Sequence, residues 1–422
     1  MKPTRLITMA LLATAALAVA GLTACSGSPD IVTTVVPPAA KESALTIALK
    51  PVDTRAAATG ITTEGENTIN RVAVGIFDSD GNVKMVKTFE SGDIKSGTVT
   101  LTTTTALATT DHVLVACNAP ADVFTGAVAN EAAFRVKTIT IDEALYGALA
   151  HTTEDAVDFT NLPMFGYVNE LKQKTDDQTG TQFTADVSVY HLVAKITLES
   201  FTLDKKGAMA NASFDPEGIF LAHVPNVLDF QNVTAVAATD SKVASAAYFT
   251  DKSVTYTKHY HGDMTKSPAT ASDNFLGKAY LGMDAATTKD NAKTLAGLVA
   301  YTMPNSQTDD ANATFLVVRG KFHYSADDEG TDVWYPLYIN YSNTSGGKHV
   351  GDEKKVYPNF NYRMTVKVQG FGEKPAYDDK GNPVITPLVP RTVAVTVTPQ
   401  GFVDAPSEVT LNRHPAARVS HP

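Results

Sequence analysis

Residues 259–263, HYHGD, have the composition of a metal site. His259 and His261 would share a face on an extended strand, which is one way transition metals are held, and Asp263 follows two positions on. No further partner is identifiable, and the surrounding segment is polar, so the stretch reads as a solvated loop. DSDGN, residues 78–82, suggests a calcium loop but lacks the EF-hand spacing and its terminal glutamate. A hairpin turn accounts for it. TEDAVD and SADDEGTD cluster carboxylates of the kind that cleave glycosides in pairs, yet nothing in the sequence brings two of them together. The aromatic run WYPLYINY reads as a packed strand face. There is no GxGxxG, P-loop, HExxH, GxSxG or CxxC. No catalytic residue, metal ligand or cofactor is therefore assigned, and the chain is expected not to be an enzyme.

Two positions keep a chemical expectation: Cys25 for acylation and Arg55 for proteolysis. The chain opens with Lys2 and Arg5, continues with the apolar LITMALLATAALAVAGL, and reaches LTAC at Cys25. A charged start, an apolar run and small residues before a cut make an export signal. LTAC fits the lipobox of bacterial lipoproteins, in which Cys25 becomes the lipidated N-terminus. An ordinary signal peptide or a membrane anchor is the alternative. Cys117 is the only other cysteine, so an exported chain of this kind has no disulfide framework. It lies in HVLVACNAP and reads as a small core residue.

The elements around these positions are mostly strands. With 422 residues and 43% hydrophobic content the chain is long enough for two or three cored domains. Its net charge of −10, with no basic run, argues against nucleic acid as a partner. After the tether SGSPDIVTTVVPPAAKES, Leu45, Ile47 and Leu49 alternate in an opening strand over 44–50. INRVAVGIFDSDGNVKMVKTF reads as a hairpin. TVTLTTTTA follows as a strand, and DHVLVACNAP as a central strand covered on both faces. ADVFTGAVANEAAF and TIDEALYGALA have helical spacing, the second with Thr140 as N-cap and Glu143 completing a capping box. The polar stretch 169–182 is the candidate domain boundary. FTADVSVYHLVAKITLESFTL, FDPEGIFLAHVPNVLDF, NATFLVVRGKFHYS, VWYPLYINYS, VYPNFNYRMTVKVQGFG and RTVAVTVTPQGFVDAPSEVTLN then read as strands. Residues 235–295 read as long loops, and RHPAARVSHP as a disordered tail.

The expected organisation is a mostly β protein of two sandwich-like domains, the first with one or two helices. Residues 1–25 form the signal and 26–55 the lipid tether with a removable strand. The first sandwich spans 56–180, the second 181–412, and the tail 413–422. A cut between Arg55 and Ala56 would release the lipid and could withdraw Leu45, Ile47 and Leu49 from their sheet. That would expose unpaired backbone groups as a template for another strand. Donor candidates are extended C-terminal segments carrying Val393, Val395 and Val397, or Val409 and Leu411. The alternative for these is an ordinary pair of closing strands. Arg71 is a rival cut site, less accessible at the start of a body strand.

The ordered set LTAC, TRAA, HVLVACNAP, NLPMFGYV, VYHLVAKITL, TFLVVRGKF, WYPLYIN, YPNFNYRMTVKVQGFG and VAVTVTP resembles the Bacteroidales fimbrillin family, the type V pilins. The polar RHPAARVSHP after the closing strands departs from that pattern. The resemblance implies two transthyretin-like β-sandwich domains and a lipoprotein precursor at the outer membrane. It further implies an Arg-specific protease cutting after Arg55, and strand exchange between identical or related subunits. The product would be a cell-surface fimbrium serving adhesion and biofilm formation, with host or bacterial surface receptors as further partners. The alternative is a surface lipoprotein that binds glycan or host protein, or a tip or anchor subunit.

Overall fold

A computed structural model of the chain describes residues 42–51, 65–140, 159–177, 179–225, 227–230, 260–261, 298–345, 347–377, 384–387 and 393–401. The strands of the first half are β1 (Ser43–Pro51), β2 (Arg71–Phe77), β3 (Val83–Glu90), β4 (Thr98–Thr103), β5 (His112–Cys117), β6 (Thr138–Thr140), β7 (Met164–Val168), β8 (Lys172–Gln173) and β9 (Gln182–His191). Those of the second half are β10 (Ala194–Leu203), β11 (Ser213–Ala222), β12 (Val227–Asp229), β13 (Tyr260–His261), β14 (Leu298–Thr302), β15 (Phe315–His323), β16 (Thr331–Tyr338), β17 (Phe360–Val368) and β18 (Val393–Gly401).

The first sheet has eight strands in the order β3-β2-β5-β7-β9-β1-β4, with β8 beside β9. Its two halves face each other across one core. Leu45, Ile47 and Leu49 of β1 share that core with Val72, Val74 and Ile76 of β2, Val99 and Leu101 of β4, and Val113 and Val115 of β5. The period-2 alternation of β1, β2 and β4 sets which face turns inward. β5 is buried on both faces, as its unbroken apolar run predicts. Its outer face and that of its neighbours place Phe77, Leu114, Ala116 and Phe165 in a second core. The short helix α1 (Glu131–Arg135) adds Phe134, whose ring lies 4.4 Å from that of Phe124.

The second sandwich has two four-stranded sheets, β14-β10-β17-β18 and β13-β11-β15-β16. Ile196, Met364 and Val395 of the one meet Leu316, Val318 and Tyr335 of the other. Trp334 and Tyr335 are both buried, so the aromatic run is packed as expected. The hairpin expected at DSDGN is present. Asp78 Oδ1 accepts from the backbone of Asp80 at 3.0 Å and of Asn82 at 2.8 Å, and Gly81 takes a φ of +81° that suits glycine.

Two local expectations are corrected, and a third falls at the edge of the described residues. In ADVFTGAVANEAAF only Glu131–Arg135 is helical, capped by Asn130, whose side chain accepts from Ala133 N at 2.8 Å. Pro120 and Gly126 keep the preceding residues in turns. Thr140 ends β6, which pairs with β12; the helix it was expected to cap, with Glu143, falls in 141–158, outside the described residues. The stretch 169–182 does not separate sheets, because β8 and β9 at its two ends pair with each other. The chain changes sheet at Leu192–Val193, between β9 and β10.

Candidate functional site

β1 lies between two strands of opposite direction. It runs parallel to β9 from Ala44↔Gln182 to Pro51↔Val189 and antiparallel to β4 from Ser43↔Thr103 to Ala48↔Thr98. Further backbone bonds, Ala44 N to Thr181 O at 2.9 Å and Leu49 N to Gly97 O at 2.8 Å, fasten its two ends. Leu45 and Ile47 are fully buried and Leu49 is 5% exposed. Each contributes roughly 1.5–3 kcal/mol of apolar transfer, about 5–9 kcal/mol together as an upper bound. Outside the core, Lys50 Nζ meets Asp186 at 2.8 Å, and Lys172 reaches the same carboxylate at 3.2 Å. The Lys50 hydrogen bond, then that of Lys172, holds the Asp186 carboxyl below its usual range. This exposed pair adds little stability.

Arg55 and Ala56 lie outside the described residues, within 52–64. From Glu66 onward the chain is fastened to the fold by side-chain hydrogen bonds. Glu66 accepts from Lys195 Nζ at 2.6 Å and from the Tyr301 hydroxyl, with Glu66 and Lys195 both buried. Asn67 Oδ1 lies 3.1 Å from His191 Nε2. Asn70 bonds to Asn118, Thr160 and Asn161. This polar anchor was not read from the sequence. Its signal is Lys195, a charge inside the apolar strand LVAKITL that requires a buried partner. The rival cut site Arg71 is held in β2 between β3 and β5. Its Nε bonds Glu90 at 2.8 and 3.0 Å, and its Nη1 bonds Ala119 O at 3.2 Å.

The donor candidates divide. Val393, Val395 and Val397 lie in β18, which pairs with β17 from Val368↔Val393 to Phe360↔Gly401. Val395 is 5% exposed, and its backbone N–H donates to Asn343 Oδ1 at 2.7 Å. Val409 and Leu411 lie outside the described residues, as do Cys25, His259 and Asp263. His261 pairs with Leu221 in β13. Among the described residues no group of His, Cys, Asp and Glu is placed to hold a metal ion, and no helix is long and apolar enough to cross a membrane. Cys117 is a buried free thiol whose pKa burial pushes up.

Residues 43–199 match the family model described as "Major fimbrial subunit protein (FimA)". The match begins at the first residue of β1. No curated protein matches the chain in sequence. A solved fimbrilin from Porphyromonas gingivalis W83 is 15% identical, with a TM-score of 0.51 over 85% of this chain and 97% of its own. A Parabacteroides distasonis protein assigned to cell adhesion is 17% identical, with a TM-score of 0.52 over 86% of this chain and 98% of its own. At these identities the two structures speak for the fold. The family match over residues 43–199 and the shared fold agree with the resemblance carried by the motifs: the chain is similar to the fimbrillins in sequence over 43–199 and in fold over most of its length.

Proposed function

We propose that this chain is a stalk subunit of a bacterial surface fimbria that supports adhesion and biofilm formation. It is made as a lipoprotein through Cys25, carried to the outer membrane, and activated by an Arg-specific protease that cuts between Arg55 and Ala56. Subunits then join by strand exchange. The observation that carries this reading is β1 itself: an N-terminal strand with Leu45, Ile47 and Leu49 in the core, followed within five residues by Arg55. While β1 occupies its place no other strand can enter, so the uncut precursor is blocked. The anchor at Glu66, Asn67 and Asn70 supports confining the cut to the segment before it, since the fold downstream stays fastened when the peptide bond breaks.

The donor role is assigned to the segment carrying Val409 and Leu411. Withdrawing β18 would strip β17 of a ladder and uncover Val395, so β18 stays in place in this proposal. β18 is then the fixed base from which the donor extends.

The test uses residues 26–422 treated with an Arg-specific protease and run undenatured and in SDS. A ladder of SDS-resistant oligomers should form only after cutting, and Arg55→Ala should abolish it. A clean cut with no change in assembly would return the chain to the class of surface binding lipoproteins.

A further inference from the structure

β4 depends on β1. It is the last strand of the first sheet, and its ladder runs to β1 alone among the described residues. At its start, Lys95 and Thr98 exchange backbone bonds at 2.9 Å, closing a local turn. At its end, Thr105 N donates to Thr103 Oγ1 at 3.0 Å. Its inward face carries Val99 and Leu101, buried in the same core as Leu45, Ile47 and Leu49, and the buried Thr103. β9 is placed differently. It pairs with β7 at Met164↔His191 and Phe165↔Tyr190, pairs with β8 at Lys172↔Thr184, and continues through Leu192–Val193 into β10.

We infer that β4 is a conditional strand, ordered only while the position beside it is filled. When β1 leaves, two strands open rather than one. A six-residue strand with no ladder partner cannot hold its backbone groups against water. What remains fixed is the edge of β9, and an incoming strand docks there first. β4 then closes over it from the other side as a clasp. The occupant that fits is an extended segment of a second copy of this chain, with apolar residues at alternate positions to replace Leu45, Ile47 and Leu49. Because β9 and β4 run in opposite directions, an occupant of either polarity gains one parallel and one antiparallel neighbour. Polarity is therefore set by its side chains. The biological occasion for this opening rests on the proposed strand exchange; the dependence of β4 on β1 is a property of the uncut fold.

Hydrogen exchange on the uncut chain tests it, read in peptides from 43–51, 98–103 and 113–117. In the unsubstituted chain 43–51 and 98–103 should exchange with one common protection, lower than that of 113–117, and Ile47→Ala should raise exchange in both by the same factor, on the order of 30-fold or more. Ile47→Val, which retains most of the packing, should give the same pattern at roughly threefold to tenfold. A rise in 43–51 with 98–103 still protected overturns the inference. So does protection of 98–103 equal to that of 113–117 in the unsubstituted chain, because β4 would then open only with the whole sheet. Failure of the cut chain to assemble would count against strand exchange and leave this result standing.

Discussion

His191 shows how strongly one burial can act. It is 2% exposed, and loss of solvent, reinforced by the Lys195 charge, brings its pKa from 6.5 down to about 3. The folded chain therefore keeps a neutral imidazole beside Asn67 and Lys195, while the unfolded chain takes up a proton near pH 6.5. Stability from this group is whole above pH 6.5 and is lost progressively as the pH falls toward 3. The urea midpoint should decline across that window, and His191→Gln should flatten the decline. An unchanged slope would assign the titration elsewhere. Asp177 acts lower on the scale. The Thr179 hydroxyl, opposed by some loss of solvent and helped by nearby backbone N–H groups, draws its pKa to about 2 from 3.8. Its contribution is complete above 3.8 and disappears as the pH drops through 2. Cys117, buried with a raised thiol pKa, should resist alkylation in the native chain and react fully in denaturant. Alkylation at equal rates in both states would contradict its place in β5.

Among the elements, β7 packs closely against β9 at Gly166. A Cβ on Gly166 would lie 2.1 Å from Ser188 O. Gly166→Ala should lower stability by about 1–3 kcal/mol, read from the denaturation midpoint, because backbone rather than a flexible side chain must move. A neutral substitution would mean the two strands are not seated as described. Elements with one strong local pattern were legible in the sequence. β1 showed its alternation, the β2–β3 hairpin its DSDGN turn, and β5 its continuous apolar run. The junction of β9 and β10 was not. YHLVAKITL contains no turn residue, and the chain changes sheets while staying buried, so the pattern reads as one long strand or a strand with a bulge. The helix expected before residue 131 failed for the converse reason: apolar spacing suggested it, but Pro120 and Gly126 favour turns.

Over the whole molecule, the anchor of Glu66, Lys195 and Tyr301 ties the residues ahead of β2 to β10 and β14 of the second sandwich. Lys195→Met alone should cost about 3–5 kcal/mol, because it strands a buried carboxylate. Lys195→Met combined with Glu66→Leu should cost less than either change alone, as read in a double-mutant cycle. Costs that simply add would show that the pair does not act as a unit. The sheets could be inferred from sequence because each strand carries its own period. This contact could not, since Glu66 and Lys195 are 129 positions apart and only the fold brings them together. The same limit applied to β1: Leu45, Ile47 and Leu49 were readable as an inward face, but their neighbours β9 and β4 were not. The central claim, that β1 and a sister segment compete for one place, is tested most directly by competition. Residues 26–422, cut after Arg55, should lose the SDS-resistant ladder in a dose-dependent way when a synthetic peptide of Ser43–Pro51 is added in excess, and a scrambled peptide should leave it intact. A ladder undiminished by the native peptide would contradict the account.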